Sequence, residues 1–72
     1  MIHWKRHPTK ATAHYEEGQL AANVHPNQTT YAAPVTVEVF DRGGKCIDYR
    51  GAKDIEDGIG KATAVLAGQR QP

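Results

Sequence analysis

Residues 35–66 constrain the fold most, because within them the hydrophobic period changes once, from two residues to about 3.6. Val35-Thr36-Val37-Glu38-Val39-Phe40 alternates strictly, as a strand with one buried face must. Asp41-Arg42-Gly43-Gly44-Lys45 supplies turn chemistry: the aspartate can bond to nearby backbone, and glycine tolerates positive φ. Cys46-Ile47-Asp48-Tyr49-Arg50 reads as the return strand. From Asp54 onward, Ile55, Ile59, Ala62 and Leu66 recur at three- and four-residue intervals, which is one stripe of a helix. A hairpin feeding an amphipathic helix implies an α+β domain: a small antiparallel sheet of three to five strands with one C-terminal helix packed on one face.

The N-terminal half supplies the remaining strands. In residues 2–7, Ile2, Trp4 and Arg6 fall on one face and His3, Lys5 and His7 on the other, with Pro8 confining the strand to an edge. Ala11, Ala13 and Tyr15 then alternate with Thr12, His14 and Glu16. Glu17-Gly18 predicts a tight connection, and Leu20, Ala22 and Val24 share a face on the way back. Residues 26–34 are broken by Pro26 and Pro34 and read as loop. The helix is expected over 54–67, N-capped by Asp54, with Glu56 and Asp57 at the positive end of its dipole and Gly68 as its stop. Gly58 and Gly60 inside it each cost about 1 kcal/mol relative to alanine. Close approach to the sheet is the expected compensation; a helix start that rearranges on binding is the competing one. The chain reads as one domain, with sheet over about 2–50, helix over about 54–67 and a frayed tail at 69–72.

At 72 residues the chain lies near the lower limit for a self-sufficient core. Its candidates are Ile2, Trp4, Leu20, Val24, Val35, Val37, Val39, Ile47, Ile55, Ile59, Val65 and Leu66, while ten alanines add little area each. Replacing Ile59 with Asp is expected to unfold the domain by placing a charge in the seam between sheet and helix. The single Cys46 rules out an internal disulfide and is expected to be a buried or semi-exposed thiol, with an intermolecular disulfide as the alternative. With so small a core and no staple, a homodimer through a sheet edge or apolar face is expected. No apolar stretch is long enough to span a membrane, and no apolar run follows the basic N-terminus. The cytoplasm is the expected compartment, with no membrane partner.

Reaction chemistry finds little support. His3, His7, His14 and His25 invite a metal reading, but residues four apart in an extended strand lie roughly 13 Å apart, too far for one ion. His14 and His25 are expected to face each other across the Glu17-Gly18 hairpin, which leaves them two ligands short of a zinc site. Lys45 is the one charged neighbour of Cys46 able to activate it. Gly43-Gly44-Lys45 lacks the rest of a phosphate-binding loop and precedes a strand instead of a helix. The expectation is a non-enzyme with neither metal nor cofactor.

Binding is the class that remains. Residues 1–15 hold Lys5, Arg6 and Lys10 without an acid, while acids collect at Glu16-Glu17 and at Asp54, Glu56 and Asp57. The net charge of +1 and pI of 7.9 fall short of a dedicated duplex binder, whose pI usually exceeds about 9. The favoured reading is a protein-binding accessory module that uses Tyr15, Tyr31 and Tyr49 as exposed contact area. Its partner would be a larger protein or nucleoprotein complex of bacterial or phage origin that the module inhibits or adjusts. In scale, and in its want of enzymatic motifs, the chain resembles anti-CRISPR inhibitors. The alternative is nucleic-acid binding through Trp4, Lys5, Arg6 and Lys10, extended by Arg42, Lys45 and Arg50, since base interleaved with aromatic suits phosphates and stacked bases. Over residues 10–67 the strand-hairpin-helix order resembles the sheet-reading DNA-binding domains of phage integrase arms and plant ethylene-response factors. That resemblance implies a sheet laid in the major groove, and it is one of architecture, with no motif matched residue by residue.

Overall fold

The computed structural model describes residues 2–27 and 33–68. Its elements are β1 (His3–Arg6), β2 (Ala11–His14), β3 (Leu20–Pro26), β4 (Val35–Phe40), β5 (Cys46–Ala52) and α1 (Ile55–Gly68). The five strands pair antiparallel in chain order, so the sheet is a meander with β1 and β5 at its edges. The helix packs on one face, giving the expected α+β architecture with the larger of the expected strand counts.

Local chemistry explains the turns. Asp41 Oδ1 accepts from the N–H groups of both Gly43 and Lys45 at 2.9 Å, and Gly44 takes φ +90°, which a side chain would strain. Gly18 does the same for the β2–β3 turn at φ +102°. At the helix start Asp54 Oδ1 accepts from the Asp57 N–H at 2.7 Å, and Asp57 Oδ2 accepts from the Lys53 N–H at 3.1 Å. The first bond satisfies a donor that the opening helical turn leaves unpaired, and the second ties the residue before the cap to that turn.

Register sorts the side chains. Arg6–Ala11–Val24–Val37–Arg50 and Trp4–Ala13–Ala22–Val39–Asp48 form rows across the sheet on the helix side. Their central members are fully buried. The core is therefore built from valine and alanine, with Gly58, Ala62 and Leu66 as the buried line of α1 and Ile55, Ile59 and Val65 half-buried beside it. Small residues let the helix come close. A Cβ on Gly58 would stand 2.5 Å from Val24 Cγ1 and 3.2 Å from Val37 Cγ2, so only glycine fits there. Close approach thus accounts for Gly58 but not for Gly60, where a Cβ would meet nothing within 4 Å.

Three expectations about the core need correction. Leu20 and Ile47 are exposed: Leu20 because the register shifts between Ala13 and His14, and Ile47 because it alternates with Asp48 and so shares the open face with Tyr49. The irregularity in β3 puts two residues opposite one and carries Leu20 away from the helix. Ile47 therefore does not join the seam beneath α1. Tyr15, expected at the surface, is 2% exposed, and its hydroxyl donates to the Phe40 carbonyl at 2.6 Å, tying the end of β2 to the end of β4. Residues 69–72, expected to fray, lie outside the described residues.

Candidate binding face

Helix α1 covers one side of the sheet, and the opposite side is the candidate site. Its central row runs Lys5–Thr12–Asn23–Glu38–Tyr49, flanked by His3–His14–Leu20 and by His25–Thr36–Gly51. Glu38 organises the middle: its Oε1 is 3.2 Å from His25 Nε2 and accepts from Asn23 Nδ2 at 3.4 Å. His25 Nδ1 lies 3.2 Å from the Pro26 carbonyl, so the imidazole stands between two acceptors. His7 Nε2 approaches Thr12 Oγ1 at 3.3 Å. The face is polar over β1, β2 and most of β3 and becomes apolar at the start of β3 and along β5.

That apolar side is built by Leu20, Ile47 and Tyr49, the large hydrophobic residues standing most exposed among those described, at 37%, 40% and 67%. Leu20 opens β3 and Ile47 lies near the start of β5, at the end of the sheet that holds the β2–β3 and β4–β5 turns. Tyr49 sits opposite Glu38 on the edge strand. An exposed aromatic beside an exposed isoleucine on an unpaired edge is the composition of a contact surface, since both keep apolar area in water that a partner would remove.

Of the three tyrosines expected to bind, Tyr49 is the one the structure places on this face. Tyr15 is buried as described, with the Arg42 guanidinium 4.5 Å above its ring centroid. Tyr31 lies outside the described residues. Leu20, expected in the core from its phase with Ala22 and Val24, and Ile47, expected there as a large apolar residue, instead belong to this surface. For Leu20 the turn signal at Glu17-Gly18 was the available hint, because bulges collect near hairpin ends.

The candidate nucleic-acid residues are not brought together. Lys5 projects from the open face, whereas Trp4 is half-buried against the core on the helix side. Arg6 is on the helix side too and grips both carboxylate oxygens of Glu56, with Nη2 donating to Oε1 at 2.9 Å. That guanidinium holds the Glu56 carboxyl below the usual carboxylate range. Asp57 is also held low, first by the Lys53 backbone N–H and then by Lys61. Arg50 donates from Nε to Asp48 at 2.6 Å, and Arg42 lies 3.7 Å from Glu17. Lys10 sits at the β1–β2 turn, and Arg42 and Lys45 sit at the opposite end of the sheet. Arg6, Arg42 and Arg50 are thus each matched to a carboxylate.

His14 stands opposite His3 and Leu20, not His25, so the expected histidine pair across the hairpin does not form. Among the described residues no group of three or more His, Cys, Asp or Glu side chains is placed to hold a metal ion. Cys46, expected to be buried or semi-exposed, is exposed, with its Sγ 3.4 Å from the Asp48 carbonyl. No helix among the described residues is long and apolar enough to cross a membrane. Comparison with protein-family models, curated proteins and solved structures yields no match.

Proposed function

We propose that this chain is a non-enzymatic protein-binding module whose contact surface is the open face of the sheet, centred on Tyr49, Ile47 and Leu20. The observation that carries the reading is the segregation of the exposed hydrophobic side chains onto the face and edge that α1 leaves uncovered. Lys5 and the histidines border this patch on the β1 and β2 side. The matching partner is a folded protein offering an apolar patch rimmed by acidic side chains, as a component of a larger assembly that the module adjusts. Direct nucleic-acid binding is the weaker reading, since three of its arginines already face carboxylates.

The test is capture by three immobilised forms: the unaltered protein, an Ile47→Ser/Tyr49→Ala variant, and a Thr63→Ala control on the exposed outer side of α1. A protein held by the first and third but lost by the second, and rebinding when purified, supports the reading. Equal retention by all three overturns it. Labelled duplex and single-stranded DNA at two salt concentrations form the other arm. Salt-weakened binding abolished by a Lys5→Ala/Arg6→Ala/Lys10→Ala variant would establish the nucleic-acid reading instead.

A further inference from the structure

We infer that β5 pairs edge to edge with β5 of a second copy of this chain, antiparallel and centred on Tyr49, to form a continuous ten-stranded sheet. The two sheet edges are unequal. β1 has four residues and is followed by Pro8, which blunts it, whereas β5 has seven residues and no proline. A long edge without proline is the one on which backbone pairing can continue.

Symmetry then selects the register. A twofold axis normal to the sheet keeps each residue on its own face, so directly opposed positions must differ by an even number of residues. Centring on Asp48 would oppose Asp48 to itself, and centring on Arg50 would oppose two arginines. Centring on Tyr49 is the register that overlaps all seven residues of β5, and it sets Asp48 opposite Arg50 of the second copy, twice. In the single chain these two side chains pair with each other, Arg50 Nε and Nη2 reaching Asp48 at 2.6 and 3.1 Å, so both already project from the helix side beside the edge. On the open face Tyr49 meets Tyr49 across the axis. Ile47 comes opposite Gly51, where Ala33 Cβ already fills the space a side chain would take, so Ile47 packs beside Ala33.

Two features oppose this ladder and keep it weak. Lys61 Nζ donates to the Gly51 carbonyl at 3.0 Å and must swing back toward Asp57, 3.3 Å away, if that carbonyl turns to the new strand. Lys45 and Lys53 face each other just beyond its two ends. The dimer joins two open faces into one surface with Tyr49 at its centre, and it stands independently of the identity of any other partner.

Sedimentation equilibrium over a wide concentration range tests it. The expected mass rises from 7.9 kDa toward twice that value. Arg50→Asp sets like charges opposite each other on both sides of the axis and raises the dimer dissociation constant by about tenfold or more. The Asp48→Arg/Arg50→Asp exchange restores it. A second measurement does not depend on those variants folding: Cys46→Ser/Tyr49→Cys, gently oxidised, forms a disulfide-linked dimer across the axis, and Cys46→Ser/Thr63→Cys does not. A mass fixed at the monomer value at every concentration overturns the inference. So does an exchange variant no more dimeric than Arg50→Asp, or equal cross-linking from positions 49 and 63.

Discussion

Val37 and Glu38 are neighbours in β4, yet the first is completely buried beneath α1 while the second shares its carboxylate with Asn23 and His25 on the uncovered side. The contrast extends across the sheet. On the helix side small side chains and Gly58 bring α1 into tight contact, so this face does nearly all the work of holding the domain together. On the open side Glu38 engages Asn23 and His25, Thr36 is buried, His14 Nδ1 and Asn23 Oδ1 are buried without a hydrogen-bond partner, and the large apolar residues stay in water. Only one of the two faces is committed to folding, and in a chain this short that leaves the other free to evolve toward a partner without loss of the core.

Substitutions that break or sharpen this asymmetry should separate by size. The largest effect is expected of Ile59→Asp, which puts a charge where Ile59 packs half-buried against the core. The cost exceeds the few kcal/mol available to a domain of this length, about 3–5 kcal/mol, so the far-ultraviolet dichroism of the folded state should be lost. An unchanged melting curve would remove α1 from that face. Next comes Gly58→Ala, whose added methyl would press on Val24 and Val37 and should cost about 1–3 kcal/mol in a urea titration. Gly60→Ala, one turn position away and facing open space, should go the other way and stabilise by up to about 1 kcal/mol. Tyr15→Phe, which deprives the Phe40 carbonyl of its donor, should cost about 1 kcal/mol.

The smallest effect concerns acid. Glu56 and Asp57 titrate lower in the folded chain than in the unfolded one, so each favours folding above the unfolded carboxylate range. That contribution is lost as pH falls through their folded values. Glu56→Gln should therefore lower the neutral plateau of a stability-against-pH profile slightly and leave its acid end unchanged, which flattens the acid limb. A deeper fall on the acid side would contradict the assigned pair with Arg6.

Much of this fold was legible in the residues. The strict alternation of Val35–Phe40, the Asp41 turn and the capped helix start all follow local rules with no competing interaction. What escaped was set by tertiary context. A register shift turned Leu20 outward, and period counting has no means of locating a bulge, whereas Ile47 shares the phase of Tyr49 and its apolar side chain alone suggested core. Ala11, Ala13, Ala21 and Ala22 proved completely buried, although each offers little area, because a closely approaching helix rewards small side chains over large ones. Tyr15 was misplaced for a related reason: its hydroxyl finds a backbone acceptor two strands away, a pairing no local pattern reveals. The candidate face was hard to see because its apolar members, Leu20 and Ile47, resembled core.

The account is tested most directly by comparing Val37→Ala with Tyr49→Ala in urea titrations at low protein concentration. Val37→Ala removes two methyl groups and is expected to cost about 1–3 kcal/mol, while Tyr49→Ala removes an entire aromatic ring and should stay within about 0.5 kcal/mol of the unaltered chain. A loss for Tyr49→Ala equal to or above that for Val37→Ala would place the tyrosine face inside a core and contradict the division of the sheet into a folding side and an uncovered side.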